Sequence, residues 1–186
     1  MNDNLKVSQK GLELIKQFEG CVLHVYNDGV GVATIGIGTT EYPDGTPVTF
    51  QDPPITIEQA YEYLAYGVEK FENAVRNSVE VELNQNQFDA LVSFTYNVGA
   101  GGLGKSSLLR KINSGDFNIE QNLLLWNKAG GRVLDGLTSR RKAEWELFST
   151  PVETPIEPTA DEGTENKGDQ ADAENNENNP NNTINS

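Results

Sequence analysis

Three side chains near the start of the chain have the types and the spacing to break a glycosidic bond. Asp28 lies nine positions after Glu19, and Thr34 six positions after Asp28, all within GLELIKQFEGCVLHVYNDGVGVATIGIGTT. Glycoside hydrolysis takes one carboxylic acid that protonates the leaving oxygen and one carboxylate that works on the opposite face of the sugar. Glu19 is the candidate acid, Asp28 the candidate base and Thr34 a hydroxyl able to hold a water between them. In the inverting form of this chemistry the two carboxyl groups stand about 6.5 to 9.5 Å apart, which admits that water. Each residue also has a plain structural reading. Asp-Gly is a common hairpin turn, threonine is an ordinary strand residue, and a glutamate at a helix end often pairs with an arginine. The combination carries the chemical reading.

The elements that must hold these residues can be read from the pattern. Ser8 is placed to cap a helix whose apolar residues Leu12, Ile15 and Phe18 recur at helical spacing, with Gly20 as its stop. Glu19 is then the last helical residue, and it falls on the stripe that should face the core. The negative end of the helix dipole and partial desolvation would both favour its protonated form. Beyond Gly20 the period shortens. Leu23, Val25 and Tyr26 lead into Asn-Asp-Gly at 27 to 29, and Val30, Val32, Thr34, Ile35 and Ile37 follow among glycines, which predicts a small twisted antiparallel sheet with Asp28 at a turn.

Farther on, Thr56 and Gln59 have capping-box spacing ahead of the stripe Ile57, Ala60, Tyr61, Leu64, Val68, Phe71 and Val75. A helix of this length, roughly 33 Å at 1.5 Å per residue, can join two lobes. Asn84 and Gln87 repeat the cap spacing before Phe88, Leu91, Val92, Thr95 and Val98, with Gly99 as the end. Ser106 or Ser107 starts a short helix that runs to Gly115. Phe117, Leu123, Leu124 and Trp126 mark another before Gly130 and Gly131, and Leu137 to Phe148 forms the last, with Ala143, Leu147 and Phe148 inward. Five or more helices against one small sheet are expected.

The order Glu, eight residues, Asp, five residues, Thr, set in FEGCVLHVYNDGVGVATIGIGTT, resembles the catalytic signature of the phage-type lysozymes, glycoside hydrolase family 24. FTYNVGAGGLGKSSLLRKINSGD and GLTSRRKAEWELF resemble further segments of the endolysins in that family, so the similarity covers about residues 8 to 149. The resemblance implies an α+β, lysozyme-like fold in which a small antiparallel sheet lobe and a larger helical lobe are joined by the long helix. It implies that Glu19 is the acid, that Asp28 helps to activate water and that Thr34 positions it. The bond cleaved would be the β-1,4 linkage between N-acetylmuramic acid and N-acetylglucosamine in peptidoglycan, with inversion, for lysis of a host cell. Chitin, a similar amino-sugar polymer, stays open as a substrate. Gly38 and Thr39, and then Tyr96 and Asn97, would line the glycan cleft. Trp126 would stack on a sugar or belong to the core. Arg140 would pair with Glu19 across the cleft, with Arg141 as the competing choice, and such a pair would oppose the dipole and burial effects on the acid. No cofactor or metal is implied. The partners implied are glycan strands and, for access only, a holin; a monomer without nucleic acid or membrane insertion is expected.

Composition fits a globular domain over residues 1–150 and an acidic tail over 151–186. The chain has 28 acidic and 14 basic residues, a net charge of −14, and nine of the acidic residues lie in the Asn-rich tail beside one lysine. Such a segment cannot bury enough apolar surface to fold, and disorder is expected there. Endolysins of this kind are often basic, and an acidic one gains no long-range attraction to an anionic envelope. Cys21 is the sole cysteine, which rules out an internal disulfide and suggests packing. MNDNLKVSQK lacks the apolar stretch of a signal peptide or anchor. The expected location is the host cytoplasm, with action on the wall after the membrane is permeabilised.

Two other readings stand beside this one. GAGGLGKS, from Gly99 to Ser106, satisfies the P-loop pattern, in which backbone amides cradle phosphates and Lys105 neutralises them. That motif needs a preceding strand in a parallel sheet, whereas the capped face from Asn84 predicts a helix and the glycines a bend between helices. A noncatalytic peptidoglycan-binding module is the second alternative, although it would not need acid, base and hydroxyl together.

Overall fold

A computed structural model describes residues 1–152; the tail expected to be disordered lies, from residue 153 on, outside the described residues. Helix α1 spans Gln9–Glu19 and ends at Gly20, whose φ of 77° brings its N–H back to the carbonyl of Lys16. Ser8 occupies the N-cap position but does not cap. Its hydroxyl and its N–H both donate to the buried carboxylate of Asp89 on α3 (Gln85–Val98), the latter at 2.9 Å. A tertiary acceptor has outcompeted the local one, and α1 is thereby docked at its start as well as its end.

Strand β1 (Val22–Asn27) pairs antiparallel with β2 (Ala33–Gly36), setting Tyr26 opposite Thr34 and Asn27 opposite Ala33, with the register slipping between Val22 and Tyr26. Every residue of β2 is buried. Its inner neighbours Ala33 and Ile35 form a small core with Val48, flanked by Val25, Tyr42 and Ile55. Gly36 has φ +65°, and a Cβ there would meet both the Ala60 Cβ and the Ile55 Cδ1 at 3.3 Å. The strand therefore lies close against the long helix only because this position has no side chain.

That helix, α2, spans Ile57–Ser78 and carries the complete capping box of Thr56 and Gln59. Its buried face, Ala60, Leu64, Val68, Glu72 and Val75, touches β2 and packs on α3, which begins with a second capping box from Asn84 and Gln87. The main core gathers Ile15 and Ile37 with Leu64, Val68, Phe88, Leu91 and Phe94, and all eight residues of α3 from Phe88 to Thr95 are buried. The central position of α3 explains this burial, since α1, α2, α4 and α7 all pack on it.

Three expectations are corrected. The glycine-rich segment after Gly99 is not a bend but a short helix, α4 (Ala100–Lys105), followed by α5 (Ser107–Asn113), which the Ser106 side chain caps by accepting from the Leu109 N–H at 3.1 Å. The helix α6 is only Glu120–Leu124. After it Gly130 and Gly131, both at positive φ, turn a second ribbon, β3 (Lys128–Ala129) with β4 (Arg132–Val133), so the described residues hold two small sheets. Paired positive-φ residues make a tight hairpin turn. Finally, α7 (Asp135–Ser149) buries Arg140, Arg141 and Glu144 along with Phe148. Its inward stripe is charged, which an apolar-periodicity reading cannot detect.

Candidate active site

Glu19 ends α1 with its side chain 30% exposed, and the guanidinium of Arg140 on α7, 4% exposed, donates to it at 2.5 Å. Of the two arginines the resemblance left open, Arg140 makes this contact. Its Nε donates to Glu144 at 3.2 Å, its other terminal nitrogen to the Ser93 carbonyl at 3.2 Å, and its plane lies 5.7 Å from the Phe18 ring centre. Each arm of the fork is engaged, so the orientation of the Glu19 carboxyl is set by a buried, fully committed donor.

Arg141 turns instead to Glu144, at 3.0 Å from its Nε, and to the Asn97 side-chain oxygen at 2.9 Å, with the Phe94 ring 5.0 Å away. Glu144 also accepts from the Ser93 hydroxyl at 2.9 Å. Burial pushes the Glu144 carboxyl up, while the guanidiniums bonded to it, Arg141 first and then Arg140, pull it back toward the ionised form. Burial likewise pushes Arg141 down.

The β1–β2 hairpin carries the other two candidate residues. Asp28 is exposed at the turn, and one of its oxygens accepts from the N–H groups of Val30 and Val32 at 2.9 and 3.0 Å. Asn27 does the same for Gly29 and Gly31. These successive Asx turns are the local reason for Asn-Asp-Gly, because a short side chain replaces a backbone acceptor. They also pin the Asp28 carboxylate. Thr34 is buried, and its hydroxyl donates to the Val32 carbonyl at 3.3 Å.

Tyr26, read from the sequence only as a strand residue, feels the charge of both carboxylates. Its hydroxyl is pushed up first by burial and then by the negative charges of Asp28 and Glu19. Its signal in the sequence was slight: two positions before Asp28, and opposite Thr34 once the register is known. Tyr96 behaves similarly, pushed up to about 12 by burial and next by Glu19.

Gly38, Thr39 and Tyr96 line one cavity of about 610 Å³, together with Glu41, Tyr66 and Lys70. A Cβ on Gly38, whose φ is +79°, would come within 3.3 Å of the Tyr96 hydroxyl. Asn97 is exposed and held by Arg141, outside that lining. Trp126 is not brought to the cavity either. It is half-buried, edge-on to Phe94 at 5.6 Å, and packs against the main core.

The P-loop geometry is absent. Helix α3 stands where that motif requires a strand, and Lys105 is an exposed residue at the end of α4. Lys105→Ala is therefore expected to leave the urea midpoint and any hydrolytic activity near those of the parent chain, within about 0.5 kcal/mol. A loss of activity of tenfold or more would bring an anion-binding role for the lysine back. Among the described residues no three His, Cys, Asp or Glu side chains are grouped to hold a metal ion, and no helix is long and apolar enough to cross a membrane.

Comparison with known proteins adds to this geometry. Residues 16–144 match the family model described as phage lysozyme. The chain is 40% identical over 147 residues to an endolysin of Bacillus phage B103, covering 78% of this chain and 55% of that protein. The chain thus spans little more than half the length of that relative. It is 37% identical over 145 residues to the endolysin of Salmonella phage P22, covering 77% of this chain and 98% of the relative. Among solved structures, a P22 lysozyme variant superimposes with a TM-score of 0.73 at 36% identity, over 78% of this chain and 99% of that one.

Proposed function

Since the chain belongs to the phage lysozyme family, we propose that it is an endolysin-type muramidase that hydrolyses the β-1,4 bond between N-acetylmuramic acid and N-acetylglucosamine. Its substrate is the glycan strand of peptidoglycan, and its biological effect is lysis of a bacterial host from within, once a holin or similar lesion opens the membrane. The observation that carries the reading is the position of Glu19. Its carboxyl stands at a helix end, partly exposed and oriented by the buried Arg140, and the turn that follows β1 pins a second carboxylate, Asp28. In this mechanism Glu19 protonates the glycosidic oxygen. Asp28 takes a proton from water, which Thr34 helps to place, and the water attacks the anomeric carbon from the opposite face with inversion. Gly38, Thr39, Tyr96 and Asn97 contact the glycan.

Mass analysis of peptidoglycan digested by the full chain tests the reaction. New reducing ends on muramic acid are expected, whereas reducing ends on glucosamine, or no cleavage, would rule out this assignment. Asp28→Asn preserves the size of the turn side chain and its acceptor oxygen. It should lower turnover about 100-fold, the lower end of what a positioned base contributes, and retention of more than half the activity would remove Asp28 from the chemistry.

A further inference from the structure

We propose that Glu144 is a positioning residue, a buried anchor that ties the candidate acid Glu19 and the rim residue Asn97 to a single carboxylate through two arginines. The inference rests on the muramidase reading for its kinetic consequences but not for its geometry. Glu144 stands four positions after Arg140 and three after Arg141, so all three share one face of α7. Its side chain is fully buried. It receives Arg140, Arg141 and, from α3, the Ser93 hydroxyl. Arg140 then reaches across to Glu19 on α1, and Arg141 reaches to Asn97 at the end of α3. Glu19 and Asn97, on different helices, are thus each one guanidinium away from the same carboxylate.

Buried ion pairs seldom add more stability than apolar residues of similar volume. An apolar stripe would pack α7 against α3 without them, so the geometry that Glu144 imposes on both arginines is its more distinctive contribution. It also divides the charge of Arg140. With Glu144 present, Arg140 is shared between two carboxylates; without it, Glu19 is the sole carboxylate bonded to Arg140 among the described residues. The undivided cation would hold Glu19 in its ionised form to lower pH and deplete the acid that protonates the leaving oxygen. Tyr96 and Tyr26, whose hydroxyls feel the Glu19 charge, are neutral phenols and do not compensate the change.

The test is titration of the Glu19 side-chain carboxyl by carbon NMR in the full chain, with pH–rate profiles on purified peptidoglycan alongside. In Glu144→Gln the Glu19 titration should move down by about one pH unit. The basic limb of the kcat profile should follow, so that kcat falls about tenfold above it. Glu144→Asp, which retains the charge on a shorter arm, should move both in the same direction by about half as much, and it supplies the measurement if the glutamine variant does not fold. Val75→Ala, a cavity in α2, should lower stability without moving the titration. An unmoved Glu19 titration in a folded Glu144 variant overturns the inference whatever the enzyme does. A parent chain that fails to cleave peptidoglycan while the titration shifts as expected instead overturns the muramidase reading alone.

Discussion

Glu19→Gln should reduce kcat on purified peptidoglycan by about 1000-fold, within the range that a positioned acid contributes, and leave the protein folded. Glutamine matches the size of glutamate, and its amide oxygen can still accept from Arg140, so the contact that docks the end of α1 survives in neutral form. With 30% of the side chain exposed, the new amide nitrogen can be solvated rather than buried without a partner. What the variant loses is the dissociable proton. Binding to insoluble peptidoglycan, followed by co-sedimentation, should persist, which separates an enzyme deprived of its acid from a module that merely adheres to the wall. Undiminished clearing of a peptidoglycan suspension by Glu19→Gln would remove this residue from the reaction.

The second large effect is on stability. Phe94→Ala should destabilise the domain by about 3 to 5 kcal/mol, the usual range for deleting a fully buried phenylalanine, read as a lowered urea midpoint with an unchanged slope. Phe94 has no exposed surface. It meets Trp126 edge-on at 5.6 Å on one side and the Arg141 guanidinium at 5.0 Å on the other. Its loss leaves a cavity between two groups that cannot collapse freely, since Arg141 is held by Glu144 and Asn97. Aromatic and cation–π contacts add to the area effect. A loss below about 1 kcal/mol would mean that the core repacks around the gap and that Arg141 needs no platform.

Much of the fold was legible because its signals are local. The capping boxes at Thr56 and Asn84 and the stripe from Ile57 to Val75 predicted α2 and the start of α3 within the observed limits. Repeated hydrogen-bonding geometry over a few residues is encoded by those residues alone. The second ribbon was missed because two-residue strands have no period to read. Helix α4 was missed because glycine disfavours helix; there, packing overrides propensity, with a Cβ on Gly102 meeting the Val98 side chain at 2.8 Å and the distant Trp126 ring at 3.5 Å.

For the site, the sequence by itself determined which residues carry chemistry: the carboxylates at 19 and 28, the hydroxyl at 34, and the turn residues that hold Asp28, all within one short stretch of chain. Only the tertiary structure decided which arginine holds Glu19, that Trp126 belongs with Phe94, and that Glu144 anchors both arginines. The Arg140 and Glu19 partners are 121 residues apart. Adjacent arginines are equivalent in sequence, and they differ only once α7 is docked and its rotation points one toward α1 and the other toward the end of α3.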